Sequence, residues 1–439
     1  MTSRLPTAVW VGGYLLLVLA PLLALLLGPM PSGSGFWWDF SMALGFTAMA
    51  MMGVQFLLTA RFPFANIGFG IDILYYFHRY LALMALAFIA LHVLIISVRH
   101  PGAIGSLNPL DAPGHMTAGL AAFGLFVLLI ATALWRKPLR LAYEQWRLLH
   151  IGMAAAALLL ALVHIEGVGY YINAPLKHGL WHGYSLLWLL LVIYVRLIKP
   201  WQMRRKPYRV SAIEPERGDS WTMTLKPDGH PGLHFHPGQF AWLTLRASPW
   251  HIKEHPFSFS SSARLRGEVT FTIKALGDFT RTIKDTKIGE RAYLDGPYGA
   301  FTIDRHPEAA GFVFIAGGVG VAPIISMLRT MADRGDRRPV SLFYGNKTWD
   351  DVIFREELEL LKDRLNLRLI HILTDPPPGW TGESGIITPD ILKRRLPADG
   401  QDYIYFLCGP KSMSATVQQE LADLRVPARR IHFELFDMV

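Results

Sequence analysis

The chain has 439 residues, of which 51% are hydrophobic and 18% are charged, a composition unusual for a soluble protein. Its single cysteine, Cys408, excludes an internal disulfide and an iron–sulfur cluster held by several thiolates. The formal net charge is +9. The basic residues cluster in short loops of the apolar half and just after it, so membrane orientation explains them and no nucleic-acid partner is expected.

Long apolar segments recur before about residue 200, each of roughly the 20 residues that a helix needs to cross a bilayer core about 30 Å thick. Six spans are predicted: Ala8 to Leu27, Phe40 to Leu58, Tyr75 to Ile96, Thr117 to Trp135, Leu148 to Val163, and His182 to Ile198. Residues 1–200 are therefore expected to form a six-helix transmembrane bundle in the lipid bilayer.

Basic residues mark the loops on one side of these spans. They are Arg4, Arg61, Arg136, Lys137, Arg140, Lys199, Arg204, Arg205 and Lys206. Because positive loops stay on the cytoplasmic side, we predict a multi-pass inner (plasma) membrane protein. Its N-terminus and everything after Pro200 are expected in the cytoplasm.

Four histidines lie in the predicted spans: His78 and His92 in the third, His150 and His164 in the fifth. Each pair is 14 residues apart, which is about 21 Å of helical rise and leaves both side chains within about 40° on one face. The two spans run in the same direction, so His78 is expected to meet His150 and His92 to meet His164. Imidazole is an axial ligand of haem iron, which predicts two stacked haem sites. The alternative is histidines that only hydrogen-bond between helices.

The pattern changes after residue 205. Alternating segments such as 241–245 and 269–273 predict an antiparallel β-barrel over residues 206–305. From about Ala310, apolar strands alternate with helices. This alternation predicts an α/β domain with a parallel sheet over residues 310–439.

Paired histidines in the third and fifth of six spans, followed by these two domains, resemble the ferric reductase and NADPH oxidase superfamily. The resemblance implies that the barrel binds FAD, that the α/β domain binds NADPH or NADH, and that the bundle binds two b-type haems. It also implies hydride transfer to FAD and one-electron transfer to an acceptor on the outer side, either dioxygen, giving superoxide, or a ferric chelate. A partner protein or quinone as acceptor, and a non-catalytic assembly subunit, remain alternatives.

Two segments resemble the family's flavin-binding elements. In the first, 255–260, Ser258 is expected to hydrogen-bond the flavin ring, and the expected contacts are His255, Pro256, Phe257, Ser258 and Ser260. The second is expected to face the FAD diphosphate with backbone N–H groups and a hydroxyl. Its residues are Lys274, Gly277, Phe279 and Thr280.

A glycine-rich turn at 317–323 follows an apolar strand and opens a helix, the context in which backbone N–H groups approach a pyrophosphate. It resembles the family's nicotinamide-binding turn, with Gly317, Gly318, Gly320 and Pro323 as expected contacts. Cys408, Gly409 and Pro410 resemble a later motif beside the nicotinamide. For Cys408 the alternative is a small buried hydrophobic residue.

Two further residues bear on cofactor choice and hydride transfer. Lys347 is expected to pair with the 2′-phosphate of NADPH, unless Asp350 and Asp351 point inward and oppose that charge; NADH stays open. Phe436, in a terminal segment resembling one that covers the flavin, is the expected shield, and Phe433 is the core alternative. The residues expected to be catalytic are thus Ser258, Cys408 and Phe436.

The acceptor is the least defined part of the prediction. Ile96 stands where family oxidases commonly carry a further histidine, which disfavours an oxidase. Several cationic or titratable residues are predicted near the outer face, either to attract anionic acceptors or as ordinary loop residues. They are Arg99, His100, His115, Lys177, His178 and His182.

Overall fold

The computed structural model describes residues 7–25, 27, 35–62, 71–106, 108, 110–251, 253–397 and 400–435. The chain divides into a helical unit that ends at Pro200 and a second unit that comprises residues from Trp201 onward together with residues 71 and 72.

The first unit consists of helices. They are α1 (Thr7–Leu25), α2 (Phe36–Thr59), α3 (Ile71–Arg99), α4 (Pro101–Ile104), α5 (Gly114–Leu134), α6 (Tyr143–Val168) and α7 (Pro175–Ile193). A π-helical turn, Tyr194–Ile198, continues α7 into α8 (Lys199–Arg204). Within the described residues, five helical segments are long and apolar enough to cross a membrane: Phe36–Thr59, Leu74–Arg99, Gly114–Leu134, Tyr143–Val168 and Pro175–Arg204.

The prediction of six spans is therefore corrected to five candidate spans and one shorter apolar helix. Among the described residues, the apolar stretch within α1 is Val11–Leu25, which is shorter than the roughly 20 residues that a bilayer core needs. It therefore stands as a shorter apolar helix beside the five candidate spans.

Large apolar side chains cover the outside of the helical unit. Leu94 on α3, Leu128 on α5 and Leu190 on α7 are more than half exposed, whereas Met49 and Met51 on α2 are buried. Exposed apolar surface of this extent is unfavourable in water. The unit is thus built to lie among lipid chains.

The second unit begins with an antiparallel sheet of six strands. They are β1 (Tyr208–Glu216), β2 (Ser220–Pro227), β3 (Phe240–Leu245), β4 (Glu254–Ser258), β5 (Val269–Lys274) and β6 (Arg291–Tyr298). The strand order is β4-β3-β6-β1-β2-β5. A short helix, α9 (Asp278–Arg281), follows β5.

This sheet corrects the predicted closed barrel. Its edge strands, β4 and β5, are joined by an isolated bridge between Phe259 and Phe271 and not by a continuous ladder. Just past β4, the Ser260 N–H donates to the Thr270 carbonyl oxygen on β5 at 2.8 Å. The next carbonyl, that of Ser261, accepts a hydrogen bond of 2.7 Å from the Ser326 hydroxyl, so the contact with β5 is confined to this short stretch. The sheet therefore stays open between its edges.

A parallel sheet follows, with strands β7 (Phe312–Gly317), β8 (Val340–Asn346), β9 (Leu367–Leu373), β10 (Glu383–Ser384), β11 (Ile404–Gly409) and β12 (Ile431–Leu435). Its helices are α10 (Val321–Arg334), α11 (Arg355–Arg364), α12 (Pro389–Arg395) and α13 (Lys411–Asp423). The strand order is β10-β9-β8-β7-β11-β12. The predicted parallel sheet is confirmed.

Side-chain alternation along β7 explains why helices cover both faces of this sheet. Phe312 and Phe314 pack in one core cluster with α10 and α11, while Val313 and Ile315 pack in another with α12 and α13. Strand order reverses at β7, since β8 lies on one side and β11 on the other. Ligands of such sheets bind at the carboxyl ends of the strands where the order reverses, which here are the ends of β7 and β11.

Candidate functional site

The first histidine pair, His78 on α3 and His150 on α6, has ring centroids 6.2 Å apart. A metal held between two imidazole nitrogens by bonds of about 2 Å separates the ring centroids by roughly 6 Å. Both Nδ1 atoms are buried without a hydrogen-bond partner. Buried imidazoles left so poorly satisfied are costly, and their spacing fits a shared iron.

The rings of the second histidine pair, His92 on α3 and His164 on α6, are oriented by hydrogen bonds at their Nδ1 atoms. His92 Nδ1 lies 2.9 Å from the Ser41 carbonyl oxygen and 3.0 Å from the Ser41 hydroxyl. His164 Nδ1 lies 2.9 Å from the His115 carbonyl oxygen. Metal-binding histidines characteristically donate their other ring N–H to such groups, an arrangement that leaves Nε2 to accept a metal.

A cavity of about 340 Å³ separates the helices at this second pair, within the usual range of roughly 300 to 1,000 Å³ for cofactor pockets. Its lining includes both histidines and apolar side chains such as Phe46, Met49 and Ile89. Gly45 and Gly119 face the rings: a Cβ would lie 3.4 Å from His92 Nδ1 and 2.6 Å from His164 Nδ1, respectively. The residues present therefore fit a bound haem.

The sequence did not point to Ser41, Gly45 or Gly119, and it indicated His115 only as a residue near the outer face. The hydrogen bonds to the second pair join residues 51 and 49 positions apart, and no periodic pattern reports such separations. Glycine in the interior of an apolar helix was an available signal, because it usually has a packing reason.

The flavin-binding candidates lie on β4, whose side chains alternate between two faces. Phe257 and Phe259 pack with the core of the antiparallel sheet, so Pro256 and Ser258 lie on the opposite face. Ser258 is 5% exposed. The His255 ring stacks on Phe279 with centroids 3.8 Å apart, which brings the two predicted flavin segments together.

Three predicted flavin contacts, Ser260, Gly277 and Thr280, are engaged within the protein. The buried Ser260 hydroxyl lies 2.9 Å from that of Thr270 and accepts from the Thr272 hydroxyl at 3.0 Å. The Thr280 hydroxyl accepts from Gly277 N–H at 2.8 Å. This Gly277 donor, expected to face a phosphate, is used inside its own turn. Lys274 ends β5 with a partly exposed side chain.

The nicotinamide turn requires glycine, because a side chain at two of its positions would clash with neighbouring residues. A Cβ on Gly320 would lie 2.2 Å from the Cys408 carbonyl oxygen, and one on Gly317 would lie 2.8 Å from the Met413 sulfur. Gly318 has φ of +52°, a conformation that favours glycine. Pro323 lies in the first turn of α10, where its missing N–H costs nothing. The turn thus packs against 408–410, as expected for one binding surface.

Cys408 is fully buried. Burial, followed by the nearby Glu434 carboxyl group, raises the pKa of its thiol. Because the thiolate is the nucleophilic form, Cys408 is a neutral side chain and not an attacking group. It pairs in register with Ala316 on β7 and with Glu434 on β12. Glu434 is buried. The sequence did not predict this burial, because Glu434 is a single polar residue in the terminal strand.

The side chain of Lys347 is exposed just past the end of β8. The two carboxylates that would oppose its charge if they pointed inward lie beside other groups. Asp351 accepts from the Thr348 N–H and hydroxyl at 3.0 and 2.7 Å, and Asp350 lies 3.8 Å from Arg355.

Helix α10 joins the nicotinamide turn to the flavin strand. Arg329 donates to the Ser260 carbonyl oxygen at 2.6 Å and makes a two-pronged ion pair with Glu357 of α11, with both distances 2.6 Å. The Thr330 hydroxyl accepts from Ala263 N–H at 2.9 Å. The helix that opens from the glycine turn is thereby fastened just beyond Ser258. Arg329, Thr330 and Glu357 carried no sequence signal.

The terminal residues are described only to 435, so Phe436 lies outside the described residues. Phe433 is 40% exposed, which argues against the core role considered for it.

Three family models match the chain. Residues 44–161 match a ferric reductase like transmembrane component, residues 208–302 match an FAD-binding domain, and residues 314–419 match an oxidoreductase NAD-binding domain.

Curated relatives include the reductase component of propane 2-monooxygenase from Rhodococcus jostii, 34% identical over 237 residues, or 52% of this chain and 62% of the relative. NADH-cytochrome b5 reductase 1 from Aspergillus oryzae is 32% identical over 189 residues, or 41% of this chain and 64% of the relative. The chain thus spans less than two thirds of each. Among solved structures, a ferredoxin reductase in carbazole 1,9a-dioxygenase is 27% identical over 53% of this chain and 69% of that chain, with a TM-score of 0.46.

The candidate spans and the three matched domains define the class of protein: a membrane-associated oxidoreductase with FAD- and NAD-binding domains. Taken in chain order, the three matched domains are those of the ferric reductase and NADPH oxidase superfamily with a ferredoxin-reductase-type module, and the resemblance predicted from the sequence is confirmed.

Proposed function

We propose that the chain transfers electrons from NAD(P)H across a membrane to an acceptor on the other side, with FAD and two b-type haems as carriers. In this proposal residues 1–200 hold the haems, 206–305 the FAD and 310–439 the nicotinamide. The observation that carries it is the pair of stacked histidine sites between α3 and α6, with ring centroids 6.2 Å apart at the first and a cavity of about 340 Å³ at the second.

In the second unit, binding and orientation are the work of this chain's own residues. Gly317, Gly318 and Gly320 let the backbone approach a pyrophosphate at the start of α10. Ser258 presents a hydroxyl to the flavin ring. Cys408 would add a neutral, apolar contact beside the nicotinamide, and Phe436 would shield the flavin when no nicotinamide is bound.

In the helical unit, His78 and His150 hold one haem, and His92 and His164 the other. When bound, haem supplies one-electron redox chemistry, with a potential set by its axial ligands and surroundings. His92 and His164 donate Nδ1–H hydrogen bonds to the carbonyl oxygens of Ser41 and His115. These bonds orient the second pair and would fix the tautomer that leaves Nε2 free for iron. The basic loops favour a cytoplasmic second unit.

Dioxygen and a ferric chelate are the acceptors proposed for the far side. The deciding experiment reduces the purified protein anaerobically with NADPH or NADH and then mixes it with oxygen or ferric citrate. The proposal expects the haem absorbance to become reduced and then to reoxidise quickly with one of the two. A protein that carries flavin but shows no haem spectrum would contradict it.

The second candidate acceptor is a partner protein or a quinone. The relatives named as a reductase component and as a cytochrome b5 reductase favour it, since their names describe reductases that serve another redox protein. Reduced haem that reoxidises slowly with both oxygen and ferric citrate, but quickly with a quinone or a membrane extract, would select this candidate.

A further inference from the structure

Three metal-binding side chains converge at one end of the helical unit, apart from the four haem-site histidines. Glu166 lies near the end of α6, and His178 and His182 lie one turn apart at the start of α7. Their ligand atoms all lie within 4.8 Å of one another. Both imidazoles point Nε2 at the same carboxylate oxygen, Glu166 Oε1, at 2.5 Å from His178 and 3.2 Å from His182.

The geometry of the three groups is that of a chelating cluster. The two imidazole rings have centroids 4.1 Å apart, and both present Nε2 to one carboxylate oxygen. A metal cation could bind all three groups at once, because it accepts the lone pairs of two neutral imidazoles together with a carboxylate oxygen.

We propose that Glu166, His178 and His182 form a binding site for a divalent first-row transition metal cation such as Fe²⁺ or Zn²⁺. Two imidazoles and one carboxylate are a characteristic ligand set for these ions. Their side chains are 39%, 43% and 56% exposed, so a cation can enter from solvent. Three protein ligands leave coordination positions open for water or a small ligand.

This site is independent of the proposed electron route. It uses none of the residues assigned to haem, flavin or nicotinamide. It lies close to the second histidine pair along α6, since Glu166 follows His164 by two residues.

The test uses full-length protein, purified in detergent without a polyhistidine tag and stripped with a chelator. Co²⁺ serves as the spectroscopic probe, and Zn²⁺ and anaerobic Fe²⁺ are titrated calorimetrically. We expect one equivalent to bind, with visible Co²⁺ absorption bands. His178→Ala and His182→Ala should each weaken binding by at least about 100-fold, more than the loss of an outer contact. Glu166→Gln keeps the side-chain shape and should weaken binding by at least about tenfold.

The matched control is His100→Ala, a histidine just beyond the end of α3 that lies outside the cluster, and it should bind like the wild type. Unchanged flavin and haem absorbance in each variant checks that it has folded. Wild-type affinity in the folded His178, His182 and Glu166 variants would overturn the proposal, as would the absence of stoichiometric binding in the wild type.

Discussion

Lys347 is the residue at which the choice between NADPH and NADH is expected to be made. Its side chain is exposed just past β8, and the neighbouring Asp351 is engaged by Thr348. Lys347→Ala should raise the apparent KM for NADPH more than that for NADH. One charge-assisted contact is worth about 1.5 to 3 kcal/mol, or roughly tenfold to a hundredfold.

Steady-state kinetics with both nucleotides measures this discrimination. Lys287→Ala, which removes an exposed lysine from the antiparallel-sheet domain, is the control and should leave the ratio unchanged. Equal effects of Lys347→Ala on both nucleotides would assign the residue to the surface.

His371 makes the nicotinamide domain sensitive to acid. Its two ring nitrogens are buried without a hydrogen-bond partner, and burial lowers its pKa to about 4, from an ordinary value near 6.5. The unfolded chain therefore binds the proton first, and stability falls as the pH drops from about 6.5 towards 4. The loss at pH 5 is expected to be about 2 kcal/mol.

His371→Leu should abolish this component of the pH dependence. The measurement is the free energy of unfolding of the nicotinamide domain in urea at pH 7.5 and pH 5. His251→Leu changes an exposed histidine and should retain the wild-type difference between the two pH values. If His371→Leu retains it too, the assignment to His371 is wrong.

At the scale of elements, α10 fastens the nicotinamide sheet to the flavin strand through Arg329. The two-pronged pair with Glu357 and the bond to the Ser260 carbonyl need the planar guanidinium. Lysine cannot reproduce them. Arg329→Lys should lower the free energy of unfolding by about 1 to 3 kcal/mol, and flavin release on heating should begin at a lower temperature.

Arg364→Lys is the matched control, because Arg364 pairs with Asp333 at a more exposed position, 55% and 37% exposed. Exposed pairs contribute about 0 to 1 kcal/mol. Thermal unfolding followed by flavin fluorescence compares the two variants. Equal shifts would show that the Arg329 contacts are no more important than a surface ion pair.

At the scale of the whole molecule, the two histidine pairs are expected to bind two haems independently. His92→Ala or His164→Ala should remove one haem of two and abolish electron delivery to the far-side acceptor. Reduction of the flavin by NAD(P)H should continue. The haem-to-protein ratio and the reduced-minus-oxidised absorbance spectrum measure the result. His234→Ala, in the second unit, is the control, and two haems remaining in either variant would refute the pairing.

The sequence by itself determined the class of protein. Three local patterns carried this information. They are the apolar segments of membrane-spanning length, the 14-residue histidine spacing on two helices, and the glycine turn before α10. Such patterns can be read from a single chain. The family and the order of its domains followed from these features.

Only the tertiary structure decided what lies around each of these features. It placed Ser41 and His115 behind the second histidine pair, closed Cys408 off from solvent and brought Glu166 to His178. It also left the antiparallel sheet open at its edges. The physical reason is that these outcomes depend on packing between residues distant in sequence, where neither helical nor strand periodicity carries information.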